Sequence, residues 1–393
     1  MKTLRHLVAL GVAATLALTL NPRSQAAEGR PNPPAPGPIP APAVKAEPIV
    51  QIALLLDTSG SMEGLIAQAK TQLWKVVNEF ARAKRAGKAP RVEVSLYEYG
   101  NDGLSSANGY IRQISPLTTD LDRISEQLFA LRTNGGSEYC GQAIQTATRE
   151  LQWSAAPGAL KMIFIAGNEP FNQGTVNPDV AVKGSIGKGI IVNTIFCGAE
   201  QEGIRTGWKQ GALLADGRFS FIDSNQVVAA VTAPQDAEIA RLGAQLNSSY
   251  VAYGAEGSKK AERQQAQDAN ASSAGMGAPV QRAMAKASAN YRNDDWDLVD
   301  ATKEGKVALG SVSAEALPEP MRKMNEAERK AYLEQMAQKR DQLRTEIQKL
   351  EKDRRTYVAE EEKKRAKDGA STLDKAMLDT VHEQAAKAAY VFE

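Results

Sequence analysis

The chain has 393 residues, 42% of them hydrophobic and 24% charged, an ordinary globular composition long enough for one sizeable domain and a smaller second part. Its 48 basic and 46 acidic residues leave a net charge of +2, which excludes the strongly basic footprint of a nucleic-acid-binding protein.

At the N-terminus, Lys2 and Arg5 precede an apolar run from Leu7 to Leu20, and Ser24-Gln25-Ala26 places small residues where a signal peptidase reads. As a helix the run spans roughly 21 Å at about 1.5 Å per residue, short of the roughly 30 Å of bilayer hydrocarbon. Residues 1–26 are therefore expected to be a signal peptide cleaved after Ala26, making the protein periplasmic or secreted. Residues 27–48 are rich in proline, from Pro31 to Pro48, and read as a semi-rigid linker.

From Ile49 to about 232, apolar runs alternate with helical patterns, the signature of an α/β domain with a mostly parallel sheet. The expected strands are Ile49 to Leu56, Arg91 to Tyr99, Tyr110 to Ile114, Lys161 to Ala166, Gly189 to Phe196 and Arg218 to Ile222. Several are continuously apolar, as central strands buried on both faces should be. Helical patterns lie at Leu65 to Lys84, Leu121 to Leu131, Gly141 to Trp153 and Arg205 to Leu214. This order predicts a doubly wound, Rossmann-like sheet whose ligand site belongs at the carboxyl ends of its strands.

Residues 233–320 are expected to be mixed helical and irregular, and 321–393 a helical hairpin or coiled coil. Leu333, Met336, Arg340, Leu343, Ile347, Leu350, Arg354 and Tyr357 step alternately by three and four, a heptad seam across Arg329 to Glu362. Asp368-Gly369 reads as a helix stop, and Ser371 as the cap of a last helix reaching Tyr390.

The chemistry gathers on three loops. Asp57 closes an apolar strand and is followed by Ser59 and Ser61, hard oxygen donors of the kind that suit Mg²⁺. The segment Ile52 to Met62, with Asp57-Thr58-Ser59-Gly60-Ser61, resembles the Asp-x-Ser-x-Ser motif of the metal-ion-dependent adhesion site in von Willebrand factor A domains. The resemblance covers about half the chain and implies that fold, a divalent metal (Mg²⁺ first, Mn²⁺ or Ca²⁺ as alternatives) and a protein-binding role. It also implies a hydroxyl ligand on a second loop, where Gly135-Gly136-Ser137-Glu138 offers Ser137. On the third loop, members of the family carry an aspartate where this chain has Gly167, within Ala166-Gly167-Asn168-Glu169-Pro170. Losing that carboxylate matters, since two unit charges about 4 Å apart attract by roughly 4 kcal/mol at an effective dielectric of 20, and a dication doubles this before desolvation. Asn168 or Glu169 is expected to replace the oxygen. An exported bacterial subgroup of the family is similar in four further segments: Tyr97 to Asp102, Glu138 to Gly141, Ile165 to Phe171 and Asn193 to Gly198.

Cys140 and Cys197 are the two cysteines. Two readings stand, a disulfide stabilising by roughly 4 kcal/mol on the chain-entropy model or two buried free thiols. The leading expectation for function is a metal-dependent, non-enzymatic protein-binding module whose partner offers an acidic group to the metal, with self-association through the C-terminal helices. One alternative is a structural envelope protein acting through those helices around a degenerate metal site. The other is a metal-assisted hydrolase using Glu98, Asp102, Glu138 or Glu169. The histidine inventory weighs against this last one: His6 lies in the signal and His382 in the terminal helix, so no Ser/His/Asp constellation can form in the α/β domain.

Overall fold

The computed structural model describes residues 47–223, 231–275, 277–365 and 373–392. The expected signal peptide, the linker as far as residue 46, the helix stop at Asp368-Gly369 and the Ser371 cap lie outside the described residues.

The elements in chain order begin with β1 (Ile49–Asp57), α1 (Glu63–Ala81), β2 (Ala83–Lys84), β3 (Arg91–Tyr99), β4 (Ile111–Thr118), α2 (Leu121–Ala130) and α3 (Cys140–Glu150). Next come β5 (Leu160–Gly167), α4 (Pro178–Ile186), β6 (Ile190–Cys197), α5 (Glu200–Arg205), α6 (Trp208–Leu213) and β7 (Phe219–Ile222). The C-terminal region is helical: α7 (Asp236–Leu246), α8 (Gly257–Ser273), α9 (Gly277–Ala287), α10 (Leu298–Lys303), α11 (Glu319–Arg322), α12 (Glu326–Arg365) and α13 (Leu373–Lys387), then β8 (Val391–Phe392).

The main sheet has six strands in the order β4-β3-β1-β5-β6-β7. All neighbours run parallel except β3 and β4. Strand order reverses around β1, so the crevice for a ligand opens beyond the carboxyl ends of β1 and β5. The alternation of β1 shows why it is central: Val50, Ile52, Leu54 and Leu56 join one apolar layer, while Ala53 and Leu55 join the other. On the first face α1 lays down Leu65, Leu73, Val77 and Phe80, a helical stripe at three- and four-residue spacing. Ile144 of α3, Val182 of α4 and Trp208 of α6 cover the second.

Sequence expectation and structure agree on the strand positions to within a few residues. β4 runs on to Thr118 through Pro116, which an edge strand tolerates because no neighbour needs the missing N–H. The helix expected from Arg205 is two short ones, broken at Gly207 with φ of +96°.

In the C-terminal region α12 is 40 residues long. Its heptad positions Leu343, Ile347 and Leu350 pack with Ile239 and Leu242 of α7 and Val280 and Met284 of α9. Leu333 and Met336 pack with Leu298 of α10 and Met321 of α11. The two arginines of the seam form internal ion pairs, Arg340 with Asp297 at 2.6 Å and Arg354 with Asp236 at 2.6 Å. α13 returns to the sheet, where Met377, Val381 and Ala385 complete the layer under α1, and β8 pairs antiparallel with β2. A buried polar knot joins α2 to the helical region. Arg282 donates to Asp122 at 2.7 Å and pairs with Asp268, Tyr291 donates to Asp122 at 2.6 Å, and Arg282 lies 4.8 Å from the ring centre of Trp74.

Candidate metal centre

Three loops meet at the carboxyl edge of the sheet: 57–62 after β1, 131–139 before α3, and 167–177 after β5. Backbone bonds lace the first two together across the end of β3. Thr58 N donates to Tyr99 O (2.9 Å), Asn134 N to Thr58 O (2.9 Å), Asp102 N to Asn134 O (3.1 Å), and Gly60 N to Gly135 O. Gly135, with φ of +63°, lies so close to the Asp102 carboxylate that an added Cβ would collide with it. Here the glycine allows both the left-handed turn and the approach of the loops.

Asp57 ends β1 and is fully buried. Its Oδ1 accepts from Ser59 N at 2.7 Å, while its Oδ2 has no hydrogen-bond partner. The Ser59 and Ser61 hydroxyls stand 3.3 Å apart, and Asn168 Nδ2 donates to Ser61 Oγ at 3.1 Å. Four of the sequence candidates, Asp57, Ser59, Ser61 and Asn168, thus form one continuous polar chain from the first loop to the third. Ser137 is half-buried on the second loop. Glu169 is exposed, where its carboxylate accepts from Gln173 Nε2 at 3.1 Å. Its carbonyl accepts from the buried Trp208 indole at 2.8 Å, which anchors the third loop.

The residue that sequence reasoning left out of the ligand set is Glu138. It is 3% exposed, its carboxyl meets that of Asp57, and its Oε2 has no hydrogen-bond partner. A Cβ added at Gly100, where φ is +78°, would lie 2.7 Å from Asp57 Oδ1 and 2.8 Å from Glu138 Cγ, so only glycine leaves room for both acids. Burial and then the Asp57 carboxyl push the Glu138 carboxyl up to about 9, and burial raises Asp57 as well. Two carboxyls in one dry space cannot both carry charge without a proton or a cation between them. The sequence held one signal: Glu138 directly follows the hydroxyl candidate Ser137, in a chain short of one carboxylate.

The third loop lacks its aspartate for a packing reason. A Cβ at Gly167 would collide with the Tyr99 hydroxyl and stand 3.2 Å from both Asp57 Oδ2 and Trp208 Cη2. The fully buried Tyr99 donates to Ala166 O at 2.9 Å and so fills the space a side chain at 167 would need.

Cys140 and Cys197 are free and buried. Cys140 belongs to the apolar layer on one face of the sheet and Cys197 to the layer on the other, so the disulfide reading has no bond to rest on here. Burial drives both thiols well above their ordinary range.

The donor set is two buried carboxylates, two serine hydroxyls and an amide, all oxygen-rich. Among the described residues no three His, Cys, Asp or Glu side chains are grouped to hold a metal. The orphaned Asp57 and Glu138 oxygens fit a hard divalent cation, which takes carboxylate and hydroxyl oxygens and keeps its remaining waters.

This fold and this loop arrangement define a doubly wound α/β domain with an oxygen-lined crevice at the carboxyl edge of its sheet. The model of the von Willebrand factor type A domain matches residues 51–204, so this part of the chain is a domain of that type. No curated protein matches the chain. Among solved structures the chain is similar to the conserved hypothetical protein BatB from Bacteroides thetaiotaomicron at 16% identity, over 44% of this chain and 90% of that one, with a TM-score of 0.35. It is similar to proximal thread matrix protein 1 from the mussel byssus, a structure with a zinc-occupied MIDAS motif, at 13% identity over 46% of this chain and 43% of that one, TM-score 0.36. A third is the pilus adhesin SpaC from Lactobacillus rhamnosus GG, at 16% identity over 46% of this chain and 28% of that one, TM-score 0.35.

Proposed function

We propose that the protein is an exported, metal-dependent protein-binding module, an adhesion or scaffold component rather than an enzyme. Asp57, Ser59 and Ser61 would hold the cation, with Ser137, Asn168 and Glu169 around them, and Mg²⁺ is the expected metal. One observation carries the reading: Asp57 is fully buried, yet its Oδ2 has no partner. Leaving a buried charged acceptor unpaired costs at least about 1–3 kcal/mol, a cost that a bound cation removes. When bound, a divalent cation offers an open position to an acidic side chain of a partner protein.

The chain's own residues prepare that surface. Ser59 N fixes one Asp57 oxygen and leaves the other free. Asn168 holds the exposed Ser61 in place, and Trp208 keeps the third loop close. Gly60, Ser61, Asn134 and Glu169 are exposed around it, so a protein surface can approach the rim. The leader of the sequence would carry the domain out of the cytoplasm. No helix among the described residues is long and apolar enough to cross a membrane.

The test is selection of a displayed random peptide library on the purified protein in Mg²⁺ and again in chelator. Peptides retained only in Mg²⁺ should carry Asp or Glu at a shared position and should be lost with Asp57→Ala. Equal retention in chelator would refute a metal-borne contact.

A further inference from the structure

We propose that Glu138 is the second carboxylate ligand of this centre, taking from the second loop the role that the third loop cannot fill. The inference rests on the metal-binding reading above and goes beyond it, since it names a ligand outside the Asp-x-Ser-x-Ser motif and outside Asn168 and Glu169.

The first support is position. Glu138 and Asp57 are 3% and 0% exposed, and each keeps one carboxyl oxygen, Oε2 and Oδ2, without a hydrogen-bond partner. Buried polar atoms in folded proteins are nearly always paired, and the orphaned oxygens on two carboxyls that meet are satisfied by a shared proton or, as proposed here, by a shared cation. The Ser59 hydroxyl lies within reach of both acids, which places Glu138 against the same motif. On the other side of Asp57, position 167 is closed by Tyr99 and Trp208. A carboxylate cannot enter there, and the second loop is where one is found.

The second support is charge. Asp57 with neutral hydroxyls and the Asn168 amide presents a single negative charge to a dication, whereas Asp57 with Glu138 presents two. A second carboxylate at a similar distance about doubles the charge attraction for a dication before desolvation. Glu169 is exposed, where solvent weakens the same attraction.

The third support is fixation. Glu138 N donates to Gln173 Oε1 at 3.3 Å, and Gln173 Nε2 donates to Glu169 at 3.1 Å. Gln173 therefore ties the second loop to the third, and Glu138 begins the turn into α3 on an anchored backbone. A fixed donor loses little freedom when it takes a metal.

The experiment uses the full-length exported protein after chelator treatment, with Mn²⁺ as probe. Calorimetric titration gives the affinity and electron paramagnetic resonance gives the environment of the bound ion. The wild type should bind one Mn²⁺, and Asp57→Asn should abolish binding. Glu138→Gln should weaken it at least about tenfold, because loss of a mere supporting partner already costs 10- to 100-fold. Glu138→Asp should recover part of the loss. Circular dichroism of Glu138→Gln in chelator should match the wild type, since the neutral amide relieves a buried acid pair. Unchanged or tighter Mn²⁺ binding by Glu138→Gln would overturn the assignment and leave the metal reading intact, with Glu138 acting only as a proton-sharing neighbour of Asp57. A wild type that binds no Mn²⁺ would overturn the metal reading itself, and this inference with it.

Discussion

Replacing Gly167 by Ala should destabilise the protein, and Tyr99→Phe should recover part of the loss. The added methyl would collide with the Tyr99 hydroxyl and stand 3.2 Å from Asp57 Oδ2 and Trp208 Cη2. All three neighbours are fully buried, so none can swing into solvent to make room. Overpacking of this kind costs about 1–3 kcal/mol. Alanine also restricts the unfolded chain, which offsets about 0.4–1 kcal/mol, so the net loss should be about 1–2 kcal/mol. Tyr99→Phe alone removes the bond to Ala166 O and should cost about 1 kcal/mol. In the double variant the clash with the hydroxyl is gone, so the combined loss should fall short of the sum by about 1 kcal/mol, as expected for side chains in contact. Urea unfolding in chelator, followed by circular dichroism with equal slopes for all four proteins, measures the cycle. Additivity within about 0.3 kcal/mol would refute the claim that Tyr99 is what excludes a side chain at 167.

Three further outcomes are expected. Arg282→Met should cost about 3–5 kcal/mol, because Asp122 and Asp268 lose their shared cation in a buried site; a urea-unfolding loss under 1 kcal/mol would refute the role of this knot in joining α2 to α8 and α9. Burial lowers the Lys286 ammonium to about 8, so between that value and 10.5 the unfolded chain binds the proton more tightly and stability rises with pH. Relative to Lys286→Met, the wild type should gain about 2 kcal/mol from pH 8 to pH 10, and parallel pH profiles of unfolding would refute it. Ile347→Ala should cost about 2–5 kcal/mol without changing the mass measured by light scattering, since Ile347 is fully buried against α7 and α9. A fall in mass would mean that the α12 seam joins separate copies.

The α/β domain was legible because its signals are local. A strand buried on both faces is written as a near-continuous apolar run, and Ile49 to Leu56, Lys161 to Ala166 and Gly189 to Phe196 each hold such a run. The first loop was legible for the same reason, as Asp57 follows the strand and the amphipathic α1 follows the serines. The α12 seam was only half legible. Spacing by three and four shows that a helix has an apolar stripe, but any apolar surface satisfies it, and here α7, α9, α10 and α11 do. Arg340 and Arg354 interrupt that stripe because Asp297, Asp300 and Asp236 stand opposite them, partners distant in sequence.

The amino-acid order by itself determined the doubly wound sheet and the edge at which a ligand belongs, both consequences of periodicity within single segments, while the proposal of Asp57, Ser59 and Ser61 as metal donors came from the resemblance of that loop to a known motif. Tertiary structure alone decided the rest of the centre. That Gly167 is empty because Tyr99 fills its space, and that Glu138 turns inward to meet Asp57, depend on β1, β3, β5 and the second loop converging from positions up to about 110 residues apart. Burial creates the chemistry there: two carboxyls that would be ordinary in water become, once dry and side by side, a pair that cannot both stay charged without a proton or a cation between them.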